Sequence, residues 1–315
     1  MQKILLYYLF TPISDPEAIK LWQKTLCDSL RLKGRIIVSR QGLNGTVGGD
    51  VGDLKAYIKA TKEYPRFKDI VFKWSEGTRD DFPRMSVKHR RELVGFQNSD
   101  DEFDVDEHGV IGGGTHLKPH EVHELVKTYG DDVVFFDGRN AHEAQIGRFK
   151  NAIIPNTHTS RDFIAELESD TYDSIKHKKV ITYCTGGIRC EVISAMMKKR
   201  GFTDVYQIDG GIVKYGETYG DDGLWEGSLR VFDNRMTMEF SDHAKTIGKC
   251  THCGNKTSNF ENCAFANCNE LVLICDVCKQ NPDLLFHTDR CRQLYSKQGT
   301  PEDLVLASSS GRKKS

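Results

Sequence analysis

Val180-Ile181-Thr182-Tyr183-Cys184-Thr185-Gly186-Gly187-Ile188-Arg189-Cys190 is the stretch on which the reading of this chain turns. Val180 to Tyr183 have the character of a buried strand, and Glu191 to Arg200 that of a helix. A cysteine between the two, in a glycine-containing loop that opens the helix, has backbone N–H groups and the positive helix end converging on its sulfur. Both favour thiolate over thiol, which makes Cys184 a nucleophile. Arg189 closes the loop and can hold an anion on the sulfur. The plain alternative is a buried cysteine acting as a small hydrophobe, against which stand the paired glycines and the arginine. Only Thr185, Gly186, Gly187 and Ile188 separate Cys184 from Arg189. That cradle is shorter than the loop with which cysteine phosphatases hold phosphate, and it suits a terminal sulfur.

The surrounding sequence agrees. Val133 to Phe136 reads as a parallel strand ending in Asp137-Gly138-Arg139, followed by Glu143 and Gly147. Asn151-Ala152-Ile153-Ile154-Pro155 and Ile208-Asp209-Gly210-Gly211-Ile212 complete the set. With the Cys184 loop, these motifs resemble a rhodanese domain over about Thr115 to Trp225, and the resemblance implies a cysteine that carries a persulfide. Helix starts near Pro119, Ala141, Arg161 and Glu191 alternate with strands at Val133, Ile153, Val180 and Val205, which predicts a parallel sheet with helices on both faces. Ligands of such sheets bind beyond the carboxyl ends of the strands, where Cys184 lies. Asp137 and Arg139 either touch substrate or hold the sheet end together as an ion pair. Cys190 either resolves an oxidised sulfur or packs in the first helical turn.

A chain of 315 residues calls for two or three domains. Its net charge of −1 leaves any RNA-binding surface to a local patch. Met1 to Phe10 carries Lys3 and runs into helix signals without a cleavage site, so no membrane span or leader is expected, and the protein reads as cytoplasmic. Up to residue 96 the pattern is β-α-β-β-α-β: strands at Ile4 to Phe10, Arg35 to Val38, Thr46 to Gly48 and Ile70 to Trp74, with helices after Asp15-Pro16 and over Leu54 to Ala60. Gly42-Leu43-Asn44-Gly45 reads as a turn. This order predicts a ferredoxin-like (acylphosphatase-like) α+β domain. The acidic run in 97–114 reads as a solvated linker, 115–228 as the α/β rhodanese-like domain, 229–295 as a linker with a cysteine-rich module, and 296–315 as a disordered tail.

Seven of the ten cysteines crowd between Cys250 and Cys291, which in a chain without a leader points to metal rather than disulfides. Cys250-x2-Cys253, Cys263-x4-Cys268, Cys275-x2-Cys278 and His287-x3-Cys291 are four couples, enough for two tetrahedral zinc ions of structural role. Interleaved and sequential pairing of the couples both fit the spacing. His287 is a ligand or an ordinary surface histidine. An iron–sulfur cluster fits the paired short spacings less well. Lys88, His89, Arg90 and Arg91 form a basic group that reads as an RNA contact or a solvated face, with Trp74 and Phe82 nearby as stacking aromatics.

The order of these three parts, with Gln41-Gly42-Leu43-Asn44-Gly45-Thr46 in the first and Cys184 to Cys190 in the second, resembles the tRNA uridine(34) hydroxylase family over about Leu6 to Cys291. The resemblance implies a bacterial enzyme that uses molecular oxygen as co-substrate to hydroxylate C5 of the wobble uridine, acting on the tRNA anticodon loop with Cys184 as the essential cysteine and Arg189 beside it. No flavin or haem motif is present, and a sulfur or electron donor is a further expected partner. Gln41 stands where the family usually has glutamate, and His287 where it usually has a cysteine. The competing activity is a rhodanese-type sulfurtransferase with a persulfide on Cys184. A non-enzymatic scaffold is disfavoured by the intact Cys184 and Arg189.

Overall fold

The computed structural model describes residues 1–96, 103–268 and 270–298. Its first domain is a five-stranded sheet in which side chains alternate strictly between two faces. The elements are β1 (Gln2–Phe10), α1 (Pro16–Ser29), β2 (Lys33–Ser39), β3 (Gly42–Asp50), α2 (Val51–Glu63), β4 (Val71–Ser75) and β5 (Met85–His89). The strand order is β4-β1-β3-β2-β5, antiparallel except for β2 against β5. Asp15 caps α1 through the Ala18 N–H at 3.0 Å, and Pro16 opens the first turn, as its sequence predicts. Leu5, Tyr7, Ile36, Val38, Leu43 and Val47 are buried with Ile19, Cys27, Leu54 and Tyr57 of the two helices. The ferredoxin-like expectation holds.

The expected turn at Gly42 to Gly45 is instead the start of β3; the turn is at Arg40 and Gln41. Gly45 pairs with Tyr7, and a Cβ there would lie 2.2 Å from the Tyr7 hydroxyl. Its glycine clears space for a ring, not for a bend.

Among the described residues, both helices of this domain lie on that one face, and the opposite face carries neither. Register puts Leu6 and Tyr8 of β1, Asn44 and Thr46 of β3, Arg35 and Ile37 of β2, Lys73 of β4 and Lys88 of β5 on it together. That face meets the second domain.

The segment read as a solvated linker is in part packed. Phe103 is buried against Phe10 and the second domain's core, and β6 (Val105–Asp106) pairs with β7 (Gly109–Val110). Residues 97–102 lie outside the described residues. The second domain follows as β8 (Thr115–Leu117), α3 (Pro119–Tyr129), β9 (Val133–Asp137), α4 (Ala141–Ala144), β10 (Gly147–Phe149), α5 (Asp162–Glu168), β11 (Lys179–Tyr183), α6 (Ile188–Lys199), β12 (Asp204–Ile208) and α7 (Gly211–Tyr219). Four strands form a parallel sheet ordered β8-β12-β11-β9. The strand expected at Ile153 is a single parallel bridge to Phe136.

Cores on the two faces of this sheet are separate. Phe136, Val180, Val192, Met196 and Val205 pack on one side, and Phe135, Phe149, Ile181, Tyr183 and Trp225 on the other. The end of β9 is locked by charge. Arg139 donates to both carboxylate oxygens of Asp137 at 2.9 and 2.6 Å and to the Gly147 carbonyl at 2.7 Å, with Trp225 and Tyr183 rings beside it. Neither charged side chain has exposed area, which favours the role of an ion pair at the sheet end.

After α7 come β13 (Trp225–Gly227) against β10, β14 (Leu229–Arg230) against β15 (Thr237–Met238), and β16 (Phe260–Asn262) against β17 (Leu271–Leu273). The short α8 (Asp276–Lys279) and α9 (Asp289–Gln298) end the described chain. Helix α9 carries order through residue 298, past the expected start of the tail at 296; residues 299–315 lie outside the described residues. No helix among the described residues is long and apolar enough to cross a membrane.

Removing one member of a buried ion pair strands the other's charge. Arg139→Ala is expected to cost about 3–5 kcal/mol in urea unfolding followed by tryptophan fluorescence. Asp137→Asn with Arg139→Met in one chain should recover most of that loss; equal losses would refute the charge argument.

Candidate active site

Cys184 follows the last residue of β11, and α6 begins four residues later at Ile188. Between them the chain must turn its N–H groups inward. Its carbonyls are taken up elsewhere: Ile212 N–H donates to Cys184 O at 2.9 Å, Val213 N–H to Thr185 O at 3.1 Å, and Lys73 Nζ to Gly186 O at 2.6 Å. With those oxygens bound on the outside, the Gly187 N–H donates to Cys184 Sγ at 3.2 Å. Gly187 has φ +99°, a left-handed conformation, which explains the glycine at the head of the helix. Gly211, with φ +67°, lies so close that a Cβ would be 2.5 Å from Cys184 O and 2.6 Å from Gly187 N. The Gly210-Gly211 motif is therefore a seat for the Cys184 loop.

Cys184 is 1 % exposed. Burial alone would raise its thiol pKa, but donation from the Cys190 thiol, the Arg189 charge and the N–H groups of Cys190 and Arg189 more than offset it. The sulfur is held well below the ordinary thiol range. Cys190 moves the other way, raised by burial and by its donation to Cys184. It is fully buried and packed in the first turn of α6. Arg189 is oriented by Glu143, which accepts from its two terminal nitrogens at 2.6 and 3.1 Å, while Thr185 Oγ1 accepts at 3.3 Å. Burial opposes the charge on Glu143, yet Arg189 and then Arg139 keep its carboxyl below its usual pKa.

The loop opens on a cavity of about 430 Å³ between the two domains, within the range of small-molecule sites. Cys184, Thr185, Gly186, Ile188 and Arg189 line one side; Tyr8, Arg35, Ile37, Asn44, Thr46 and Lys73 of the helix-free sheet face line the other. Tyr8 hydroxyl donates to Glu191 Oε1 at 2.9 Å, and that carboxylate also meets His116 at 2.9 Å and Gln207 at 3.0 Å. These contacts and the Lys73 bond hold the first domain over the loop.

Lys88 pairs with Ile37 and so faces the cavity side, but at the edge strand; Lys88, Arg90 and Arg91 are exposed and do not line the cavity. His89 is turned to Glu17 at 2.8 Å. Phe82 is 1 % exposed and unavailable for stacking, and Trp74 lines a neighbouring cavity. Gln41 Oε1 accepts from Leu93 N–H at 3.0 Å, tying down the segment after β5. Lys73, Arg35, Asn44, Thr46 and Tyr8 escaped the sequence reading, although the period of two along β1 to β4 would have put them on one face.

The cysteine-rich module resolves the pairing. Cys250, Cys253, Cys275 and Cys278 form one cluster and Cys263, Cys268 and Cys291 another, with ligand atoms within 4.8 Å of one another in each. The fold brings the first couple to the third, and the second to Cys291 of the fourth, which is the interleaved arrangement. Cys253 and Cys275 sulfurs stand 3.6 Å apart, far beyond a bond of about 2.05 Å and close to the edge of a thiolate tetrahedron around a metal ion. Both clusters can hold such an ion. His287 Nδ1 lies 3.9 Å from Cys268 Sγ, and the His287 backbone N–H donates to Cys263 Sγ at 3.3 Å, so the residue flanks the three-thiol cluster.

An activated cysteine at the carboxyl end of a parallel sheet, cradled by backbone N–H groups and an arginine, defines a rhodanese-type domain. The family model for the rhodanese-like domain matches residues 118–218, that for the UPF0176 acylphosphatase like domain residues 2–93, and that for the rhodanase C-terminal region residues 226–292. A protein of Corynebacterium jeikeium named tRNA uridine(34) hydroxylase is 61% identical over 281 residues, covering 89% of this chain and 91% of its own. Proteins of the same name from Rhodococcus opacus and Pseudarthrobacter chlorophenolicus are 60% and 59% identical, covering 89% and 90% of this chain and 98% and 97% of theirs. The chain belongs to the tRNA uridine(34) hydroxylase family.

Replacing Arg189 by lysine keeps the charge but removes the fork that Glu143 orients. Arg189→Lys is expected to raise the Cys184 pKa and to slow its alkylation by iodoacetamide at pH 6 about tenfold. Wild-type Cys184 should react well below the ordinary thiol range near ~8.5; an alkylation midpoint at that value would refute the thiolate assignment.

Proposed function

We propose that this protein hydroxylates C5 of the wobble uridine in tRNA to 5-hydroxyuridine, with molecular oxygen as co-substrate and Cys184 as nucleophile. The observation that carries the reading is a buried cysteine of lowered pKa on a cavity roomy enough for a nucleoside, in a chain of this family. C5 of uracil is a poor nucleophile until something adds at C6. Cys184 Sγ forms a bond to C6, and the C5–C6 π pair moves to C5 and O4 as an enolate. Thr185, Arg189 and the loop N–H groups lie where negative charge collects. Oxygen joins C5; two electrons and two protons from a thiol donor release its outer atom as water. Loss of the C5 proton then expels the Cys184 thiolate and restores the ring. A persulfide on Cys184 is the second reading, favoured by the rhodanese loop alone.

The RNA partner is the anticodon loop, and Lys88, Arg90 and Arg91, exposed beside the cavity, are its proposed backbone contacts. The reaction belongs in the cytoplasm with its tRNA. Zinc is the proposed metal of both thiol clusters: Cys250, Cys253, Cys275 and Cys278 hold one ion, and Cys263, Cys268, Cys291 and His287 the other. Bound there, zinc crosslinks a module with few apolar residues of its own.

In cells lacking the protein, nucleoside mass spectrometry of tRNA should show 5-hydroxyuridine restored by the wild-type chain and held at background by Cys184→Ser. Full restoration by the serine variant would overturn the assignment, and an added sulfur on Cys184 during turnover would favour the persulfide. Metal analysis of purified protein should give two zinc ions per chain, about one in Cys253→Ser and about one in Cys263→Ser. Equal loss of both ions in either variant would contradict two separate sites.

A further inference from the structure

We infer that Phe232 is the stacking platform for the base that enters the Cys184 cavity; this rests on the proposed function and extends it to how the uridine is held. Phe232 lies in the turn between β14 and β15, is 51 % exposed and lines the same cavity as Cys184 and Arg189. An isolated exposed phenylalanine is ordinary. This one is not isolated, because its turn is fixed from several sides. Val231 N–H donates to Met236 O at 3.0 Å, closing the turn on itself. Asp233 accepts from Arg235 at 2.8 and 2.6 Å, and Arg235 also donates to Ser75 Oγ at 3.4 Å in the first domain. Asn234 N–H donates to Asp81 O at 3.0 Å in that domain too. Arg230 donates to the Val231 and Met236 carbonyls from beneath.

A backbone pinned to both domains holds an open aromatic ring at the mouth of a cavity whose floor is a thiolate. The guanidinium carbons of Arg189 and Arg230 each lie 5.8 Å from the ring centre, within cation–π reach. Half of the residue's surface stays exposed to a planar partner. Bases splayed from single-stranded RNA loops are held in this way, on aromatic faces beside cationic groups. Across the cavity, Arg35, Asn44 and Thr46 offer polar groups to the edge of such a base. The ring supplies a stacking surface, and the sheet face supplies the edge contacts.

The test is a binding cycle with the full chain and two anticodon stem-loop RNAs, one with uridine at the wobble position and one abasic there, read by fluorescence anisotropy. Wild type should bind the uridine RNA about ten- to hundredfold more tightly than the abasic one. Phe232→Ala should lose that difference while binding the abasic RNA as wild type does, and Phe232→Trp should keep it. Cys184 alkylation at neutral pH, unchanged in Phe232→Ala, controls for an intact loop. If Phe232→Ala retains the preference for uridine, or weakens both RNAs equally, the inference is overturned. It would then fail alone if the wild-type chain still forms 5-hydroxyuridine in tRNA, and together with the function if it does not.

Discussion

A negative charge on sulfur with almost no access to water has to be stabilised by the protein alone, and the second domain is arranged around that demand. Desolvation works against the Cys184 thiolate, so each compensating group must be close and fixed. Arg189 supplies the charge and is itself fixed by Glu143. Cys190 supplies a thiol donor whose own ionisation is suppressed. The loop N–H groups face the sulfur because α7 and Lys73 occupy the carbonyls on the outside. A chain of dependence thus runs from the backbone of one helix to the reactivity of one atom. In a low-dielectric setting such fixed dipoles count for more than they would in water.

The first domain is a working part of this arrangement. Its sheet has one face for its own helices and one for the cavity, and the alternation of side chains along each strand divides the two tasks. Tyr8 and Lys73 reach from that second face to Glu191 and the loop carbonyl. The site is therefore composite: the rhodanese-type domain holds the low-pKa cysteine, and the ferredoxin-like sheet forms the opposing wall. A sulfurtransferase needs only the first of these. The second gives the cavity its room and its polar lining from Arg35, Asn44 and Thr46.

Much of this was legible in the sequence because it depends on local period and spacing. The β-α-β-β-α-β order, the parallel alternation around Val133, Val180 and Val205, and the Cys184 loop all follow from residues near one another in the chain. Gly45 was misread because a glycine that makes room for Tyr7 looks, in one dimension, like a glycine that makes a turn. The clustering of thiols was visible, but their pairing was not, since it is set by where β16, β17 and α8 fold. Asp137 and Arg139 admit two roles in sequence, and the burial that favours the ion pair comes from Tyr183 and Trp225, distant in the chain. Phe232 carried no signal, because its exposure results from a turn tied to residues more than a hundred positions away.

The interleaved thiol couples carry a consequence for biosynthesis. Cys250 and Cys253 must wait for Cys275 and Cys278, and Cys263 and Cys268 for Cys291, so neither thiol cluster can be complete as its first cysteines emerge from the ribosome. Each half-built site overlaps the other in chain order. Completion of this module is thus a late event, after the chain of the first two domains has already been made.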